Sequence, residues 1–268
     1  MDTHGAAARA EGEIDTSIPH SARIWNYWLG GKDNYAVDRE AGDQYREAFP
    51  GIDELARASR YFLTRTIRHL ASEAGIRQFL DVGTGLPTVD NTHEVAQRAN
   101  PEARVVYVDN DPLVLVHAQA LLTSSPEGRT AYIEADLREP GKVLAGAREI
   151  LDLNEPVALI LSGVLGHIAD DEEARGLVRA LMAPLAPGSH LSHNDGVDEN
   201  PETNAAQDDY NDSGAVPYNL RSPETIRSFY EGLDVVPPGI VRINEWRPDI
   251  GDDGAVPAAA FGGVARKR

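Results

Sequence analysis

The chain has 268 residues, enough for one large α/β domain with an extension. It contains no cysteine, which excludes a disulfide framework, a thiolate metal site and a cysteine nucleophile. A formal net charge of −18 argues against a nucleic-acid partner, because phosphate backbones are bound through lysine and arginine.

No apolar run is long enough to span a bilayer, and the first thirteen residues lack the apolar core of a secretory signal, so a cytoplasmic protein without a membrane partner is expected. Residues 1–17 are small and polar and are expected to be disordered. From 18 to 74 the composition predicts a helical extension. Trp25, Tyr27, Trp28 and Tyr35 crowd into one short stretch, and Gly30-Gly31 would end a helix over 21–29. A second helix is predicted over 38–49, stopped by Pro50-Gly51. A long amphipathic one follows over 52–74, with Leu55, Ala58, Phe62, Ile67 and Leu70 at helical spacing.

Residues 75–268 read as the main domain. Strands are predicted at 77–82, 104–109, 130–135, 156–162 and 188–193, and helices at 89–99, 112–123, 139–151 and 170–184. That alternation means a parallel sheet with right-handed crossovers. Residues 194–219 break the rhythm with a polar, acidic insertion, read as a short helix and loop over the mouth of a pocket or as solvated linker. Ser222 and Pro223 supply an N-cap and first position for a helix running to Gly232. Strands at 233–241 and 257–265 would close the sheet as a hairpin-like pair.

The chemistry concentrates at the strand ends. The first strand runs into Gly83-Thr84-Gly85, where glycine lets the backbone approach a ligand. The third glycine of a dinucleotide fingerprint is missing, and Leu86-Pro87 stands in its place. Asp109 ends the second strand, placed to accept both hydroxyls of a ribose. Asp136-Leu137 ends the third, placed to meet an exocyclic amine. Any one acid could equally cap a turn; three successive ones after a glycine turn are more specific. Pro87 removes an amide from an anion nest, Asp81 would repel a pyrophosphate, and the aromatic segment offers ring faces to a cation. These features favour a sulfonium-bearing nucleoside over NAD, although an NAD-dependent oxidoreductase is the competing enzymatic reading. His167 and His193 follow the fourth and fifth strands at the edge where substrates bind, and either could take a proton; His167 could instead pack against or cap the next helix. Tyr27, Lys32 and Tyr35 would line an acceptor pocket, or the aromatics would seal the arm onto the sheet. Neither His93-Glu94 nor the acidic run 170–173 has metal-cage spacing, and the run sits where acids favour a helix start.

Asp81-Val82-Gly83-Thr84-Gly85, Val108-Asp109-Asn110-Asp111-Pro112 and Glu134-Ala135-Asp136 resemble the nucleoside-binding half of class I S-adenosylmethionine-dependent methyltransferases. The segment from Pro19 to Tyr35, the tail from Gly232 to Val241, Trp246-Arg247-Pro248 and the run from Phe261 to Arg266 are similar to a bacterial S-adenosyl methyltransferase family, once catalogued as a domain of unknown function. The resemblance implies a Rossmann-like α/β fold with a seven-stranded, mostly parallel sheet and an antiparallel last strand. It implies S-adenosyl-L-methionine as cofactor, with S-adenosyl-L-homocysteine as product, and methyl transfer to oxygen or nitrogen of a small molecule. It assigns Gly83, Thr84 and Gly85 to the methionine and ribose part and Asp81 and the Ser162-Gly163 backbone to the ammonium; Arg60 is a candidate for the carboxylate, or else forms a surface ion pair. Asp109 would hold the ribose, with Asn110, Asp136 and Leu137 at the adenine. A homodimer, and a regulator that binds the nucleoside without catalysis, stay open.

Overall fold

The computed structural model describes residues 15–121, 123–249 and 258–268. Most of the stretch expected to be disordered, 1–14, lies outside the described residues. Residues 15–17 lie within them and are tied to the first helix, because Arg23 donates to the carbonyls of Asp15 and Ile18.

Three helices lead in: α1 (Ser21–Trp28), α2 (Ala36–Ala48) and α3 (Ile52–Ser72). His20 caps α1 by accepting from the Ala22 amide, and the chain leaves the helix through Gly30 at φ +78°. Asp38, fully buried, joins α1 to α2: it accepts from the His20 and Tyr35 amides at 2.9 and 2.8 Å and from Arg23 Nε at 3.1 Å.

Five parallel strands follow, β1 (Gln78–Val82), β2 (Arg104–Asp109), β3 (Arg129–Glu134), β4 (Ala158–Ser162) and β5 (His190–Gly196). Between them run α4 (Thr92–Ala99), α5 (Pro112–Leu121), α6 (Pro140–Ala147) and α7 (Asp171–Met182). Strand β5 extends three residues past the expected end, because Asn194 and Asp195 are buried and hydrogen-bonded despite their polarity. Helix α8 (Pro201–Asp212) follows, then α9 (Pro223–Ser228), which Ser222 caps by accepting from the Thr225 amide at 3.1 Å.

The single strand expected over 233–241 is two short pieces, β6 (Asp234–Val235) and β7 (Val241–Arg242), both antiparallel to β8 (Ala260–Arg266). Pro237 and Pro238 interrupt it, since neither can donate to a ladder. The sheet order is β3-β2-β1-β4-β5-β8-β6, with β7 also on β8 and β8 antiparallel to β5.

Side chains alternate across this sheet. Leu80, Val82, Val106, Leu159 and Leu161 pack on one face with α7 and α9; Phe79, Val105, Tyr107 and Ile160 pack on the other with α3. A third cluster unites Trp28, Tyr45 and Ile52 of the leading helices with Ala206 and Tyr210 of α8. The polar insertion thus contributes a helix that packs on α2, above the carboxyl ends of the parallel strands.

Asp38→Ala removes the buried acceptor shared by Arg23 Nε and the His20 and Tyr35 amides. Truncating one partner of a buried pair costs about 3–5 kcal/mol, so denaturant unfolding should show a loss of that order. A change under about 1 kcal/mol would mean that Asp38 does not hold the helices together.

Candidate active site

A cavity of about 260 Å³ opens where the parallel strands end. Asp81, Gly83, Thr84, Gly85, Asp109, Asn110, Asp136, Leu137, Ser162, Gly163 and Arg60 all line it.

The glycine turn is built by β1 and β2 together. Gly83 and Thr84 donate to the Val108 carbonyl at 2.9 and 3.3 Å, and the Gly85 amide donates to Asp109 Oδ2 at 2.9 Å. Gly83 sits at φ +75°, where an added Cβ would meet the Val164 side chain at 2.3 Å. Gly85 and Gly163, at φ +67° and +68°, have nothing within 4 Å of an added Cβ. Since both line the cavity, that open space is room for a ligand against bare backbone.

Helix α4 begins at Thr92, three residues later than expected. Asn91 and Glu94 set that start: the Asn91 amide donates to Glu94 Oε2 at 2.7 Å. Residues 86–91 therefore separate the glycine turn from the helix N-terminus, so the helix end that would receive a pyrophosphate is displaced from the turn.

Asp81 is buried and accepts from Thr92 Oγ1 at 2.5 Å. Burial pushes its carboxyl up from the ordinary 3.8 to about 6, against the pull of Thr92 and of the Arg60 charge. Arg60 lies in the third turn of α3. Its Nη2 donates to the carbonyls of Val89 and Asp90 at 3.3 and 3.2 Å, while its buried Nε has no partner. Burial also pushes Asp109 up, opposed by the amides of Asp111 and Gly85. Asp136 doubles as a turn cap, accepting from the Arg138 amide at 2.8 Å and from Asn110 Nδ2 at 3.1 Å. Ser162 donates to Asn194 Oδ1 at 2.8 Å, and Asn194 donates to Ser59 at 3.1 Å, which ties β4, β5 and α3 into a polar floor.

The two histidines part company. His167 lines the cavity on the short turn after β4. Its Nδ1 is 2.9 Å from the Pro217 carbonyl, and a carbonyl only accepts, so Nδ1 carries the hydrogen and Nε2 the lone pair. Burial lowers its pKa below 6.5. The loop is fastened to the segment after α8: the Asn219 amide and side chain both donate to the Gly166 carbonyl at 2.8 Å, and His167 meets Tyr218 edge to face. His193 does not reach the site. Alternation on β5 turns it to the opposite face, against Phe229 and Tyr230, with Nε2 2.8 Å from Asp195. Its neighbour Asn194 lines the cavity instead.

Tyr27, Lys32 and Tyr35 are also absent from the cavity wall. Tyr27 lies on the other side of α1, donating to Asp43 at 2.8 Å under the Arg46 guanidinium. Lys32 is exposed. Tyr35 packs beneath Arg23 and beside Leu86 and Leu113. Trp25 and Trp28 of α1 line the wall in their place, with Tyr45 of α2, and Thr203, Gln207 and Tyr210 of α8. For α1 the signal was the helical phase, since Trp25 and Trp28 are three residues apart on one face; for α8 the sequence offered none. His20 also lines the wall, but its Nδ1 accepts from the Ala22 amide at 3.3 Å and lies 3.2 Å from Asp111.

An open parallel sheet with an antiparallel strand at this place in the order, and a cavity at its carboxyl edge, is the class I methyltransferase fold. Two solved structures share it nearly end to end. A DUF574-family protein from Streptomyces avermitilis is 46% identical, with 96% of this chain and 100% of that one covered at a TM-score of 0.92. A candidate methyltransferase from Thermobifida fusca is 39% identical over 95% and 97%, with a TM-score of 0.87. In fold alone, mitomycin 7-O-methyltransferase matches at 15% identity over 95% and 74%, with a TM-score of 0.51. No curated protein matches the sequence. The S-adenosyl methyltransferase family model matches residues 7–268, so the chain belongs to that family, whose methyl donor is S-adenosyl-L-methionine.

Asp81 makes the ligand-free site sensitive to pH. Its folded pKa is raised, so its unfavourable burial is absent at low pH and sets in as pH climbs from about 4 to about 6. Asp81→Asn should therefore stabilise the ligand-free protein at pH 8 by about 1–3 kcal/mol, and not at pH 4. Thermal unfolding at both values checks it; equal effects at both would contradict the raised pKa.

Proposed function

We propose that the chain transfers a methyl group from S-adenosyl-L-methionine to a hydroxyl or amine of a small molecule bound beside His167. The convergence of Asp81, Asp109 and Asp136 with two open glycine backbones on one cavity carries this reading. The donor set suits the nucleoside. Asp81 offers a buried anion to an ammonium, and Arg60 Nε offers an unspent donor to a carboxylate. Asp109 keeps lone pairs for ribose hydroxyls beyond those used by its two amides. Asp136 and the Leu137 amide would read the adenine edge.

When bound, S-adenosyl-L-methionine supplies a methyl carbon on a sulfonium, whose neutral sulfur is a good leaving group. The protein's remaining tasks are positioning and proton removal. The glycine turn and the polar floor fix one reactant against the strand ends. The aromatic wall excludes water from the other. His167, neutral and with its hydrogen committed to Pro217, presents Nε2 to the acceptor's proton. His20 is less suited, because its Nδ1 is held between the Ala22 amide and the Asp111 carboxylate.

Asp109→Asn should weaken S-adenosylhomocysteine binding by about 1–3 kcal/mol in calorimetry, the scale of a lost charge-assisted hydrogen bond; unchanged affinity would remove Asp109 from the site. His167→Gln should leave that affinity within about twofold. Turnover, scored as S-adenosylhomocysteine formation against a set of small hydroxyl and amine compounds, should fall about 10²–10⁴-fold. Because burial depresses the His167 pKa, the base stays neutral to lower pH than an exposed histidine, and the acid limb of kcat/KM should lie below 6.5. A limb above that value would assign the proton to another group.

A further inference from the structure

The methyl-acceptor end of the cavity has a composition of its own. Trp25, Trp28, Tyr45 and Tyr210 form a continuous aromatic wall, with successive ring centroids 5.7, 5.1 and 5.9 Å apart in edge-to-face or tilted contact. The polar edges of its two central rings are engaged by the protein. Trp28 Nε1 donates to the Gly42 carbonyl at 3.2 Å, and the Tyr45 hydroxyl donates to Gln207 Oε1 at 3.3 Å. Ring surface is what remains for a ligand. Among the described residues, α1, α2 and α8 send no acid, lysine or arginine to the cavity; the charged residues that line it sit on α3 or at the strand ends, around the donor's place.

A wall of this kind disfavours an anionic acceptor, which it would leave unsolvated, unpaired and against the negative ring faces, and its extended ring surface suits a flat aromatic partner. One of its polar groups is both buried and without a partner. Thr203 lines the cavity at 1% exposure, and its Oγ1 has no hydrogen-bond partner. A buried hydroxyl left without a partner costs free energy that a ligand's polar substituent would recover.

We propose that the acceptor is an uncharged aromatic compound methylated on a ring hydroxyl, lying against the Trp25–Tyr210 wall with a second polar substituent hydrogen-bonded to Thr203. This deepens the methyltransferase reading and rests on it. The hydroxyl oxygen forms the bond to the methyl carbon, and the carbon–sulfur electron pair stays on sulfur, leaving a neutral thioether. The hydroxyl proton passes to His167 Nε2 and from there to solvent. A ring hydroxyl enters uncharged with a lone pair available to the methyl carbon, whereas an amine of ordinary basicity enters as a cation without one.

The test uses the full chain and 2,7-dihydroxynaphthalene as probe, with 2-naphthyl phosphate and spermidine as charged comparators. S-adenosylhomocysteine binding is measured first by calorimetry, and the probe is then titrated into the saturated complex. The dihydroxy probe should bind at least tenfold more tightly than either comparator. Val216, 44% exposed where it lines the cavity, tolerates enlargement, so Val216→Trp should abolish probe binding while S-adenosylhomocysteine binds as before. Thr203→Val, which keeps the shape, should weaken the probe about fivefold to tenfold. If S-adenosylhomocysteine itself fails to bind, the donor reading and this proposal fall together. If it binds, but a charged comparator matches the probe or Val216→Trp has no effect, the proposal is overturned and the donor reading stands. Equal probe affinity in Thr203→Val overturns the role given to Thr203.

Discussion

Parallel strands joined by helical crossovers all end at one edge of their sheet, and everything this protein does is arranged along that edge. Five strands deliver their last residues there. At three neighbouring tips, β1, β2 and β3, the chain places an aspartate in or just beyond the strand. Loss of hydration, with lesser repulsion of Asp81 by Asp109 and of Asp109 by Asp111, makes the edge an unfavourable place for anions, as the raised pKa values of Asp81 and Asp109 register. The surrounding amides of Gly85 and Asp111, the Thr92 hydroxyl and the Arg60 charge offset part of that cost. A ligand bringing an ammonium and hydroxyl groups offsets more. In the proposed reading, stability of the free protein and affinity for the ligand are opposed at the same carboxylates.

The helical layers convert this open edge into an enclosed cleft. Helix α3 packs on the sheet face that carries Phe79 and Tyr107, and in doing so places Arg60 at the cavity. Helices α1 and α2 are held to one another through Asp38, and α8 joins them through Tyr45 and Tyr210. None of these helices belongs to the strand–helix alternation. They add an aromatic, neutral stretch of wall to a cavity whose other side is polar and anionic.

Much of this was legible in the residues. Strand positions could be read because fully buried strands are short apolar runs bounded by proline and glycine, and the Ser222-Pro223 start of α9 because capping chemistry is local. The glycine turn and its three acids were readable as a set, and the structure brings them to one cavity. The failures share a cause: they depend on phase or on distant partners. His193 and Asn194 differ by one position, and only the register of β5 decides which faces α3. Tyr27 and Trp25 lie on different sides of one helical turn, and sequence alone did not say which side would meet α8. Asn194 and Asp195 looked like loop because their partners, Ser59, Ser162 and Tyr218, lie far along the chain.

The seam between the His167 turn and the segment after α8 couples two events that could have been independent. Gly166 admits the Tyr218 ring so closely that an added Cβ would sit 2.2 Å from it, and Pro217 fixes which imidazole nitrogen is basic. Swinging the 216–220 segment outward to exchange one acceptor for another would release the imidazole from its tether and leave its tautomer unselected. With His167 as the proposed base, the contacts that would close the chamber are the same ones that select its basic nitrogen, so an opened doorway would be a disarmed one.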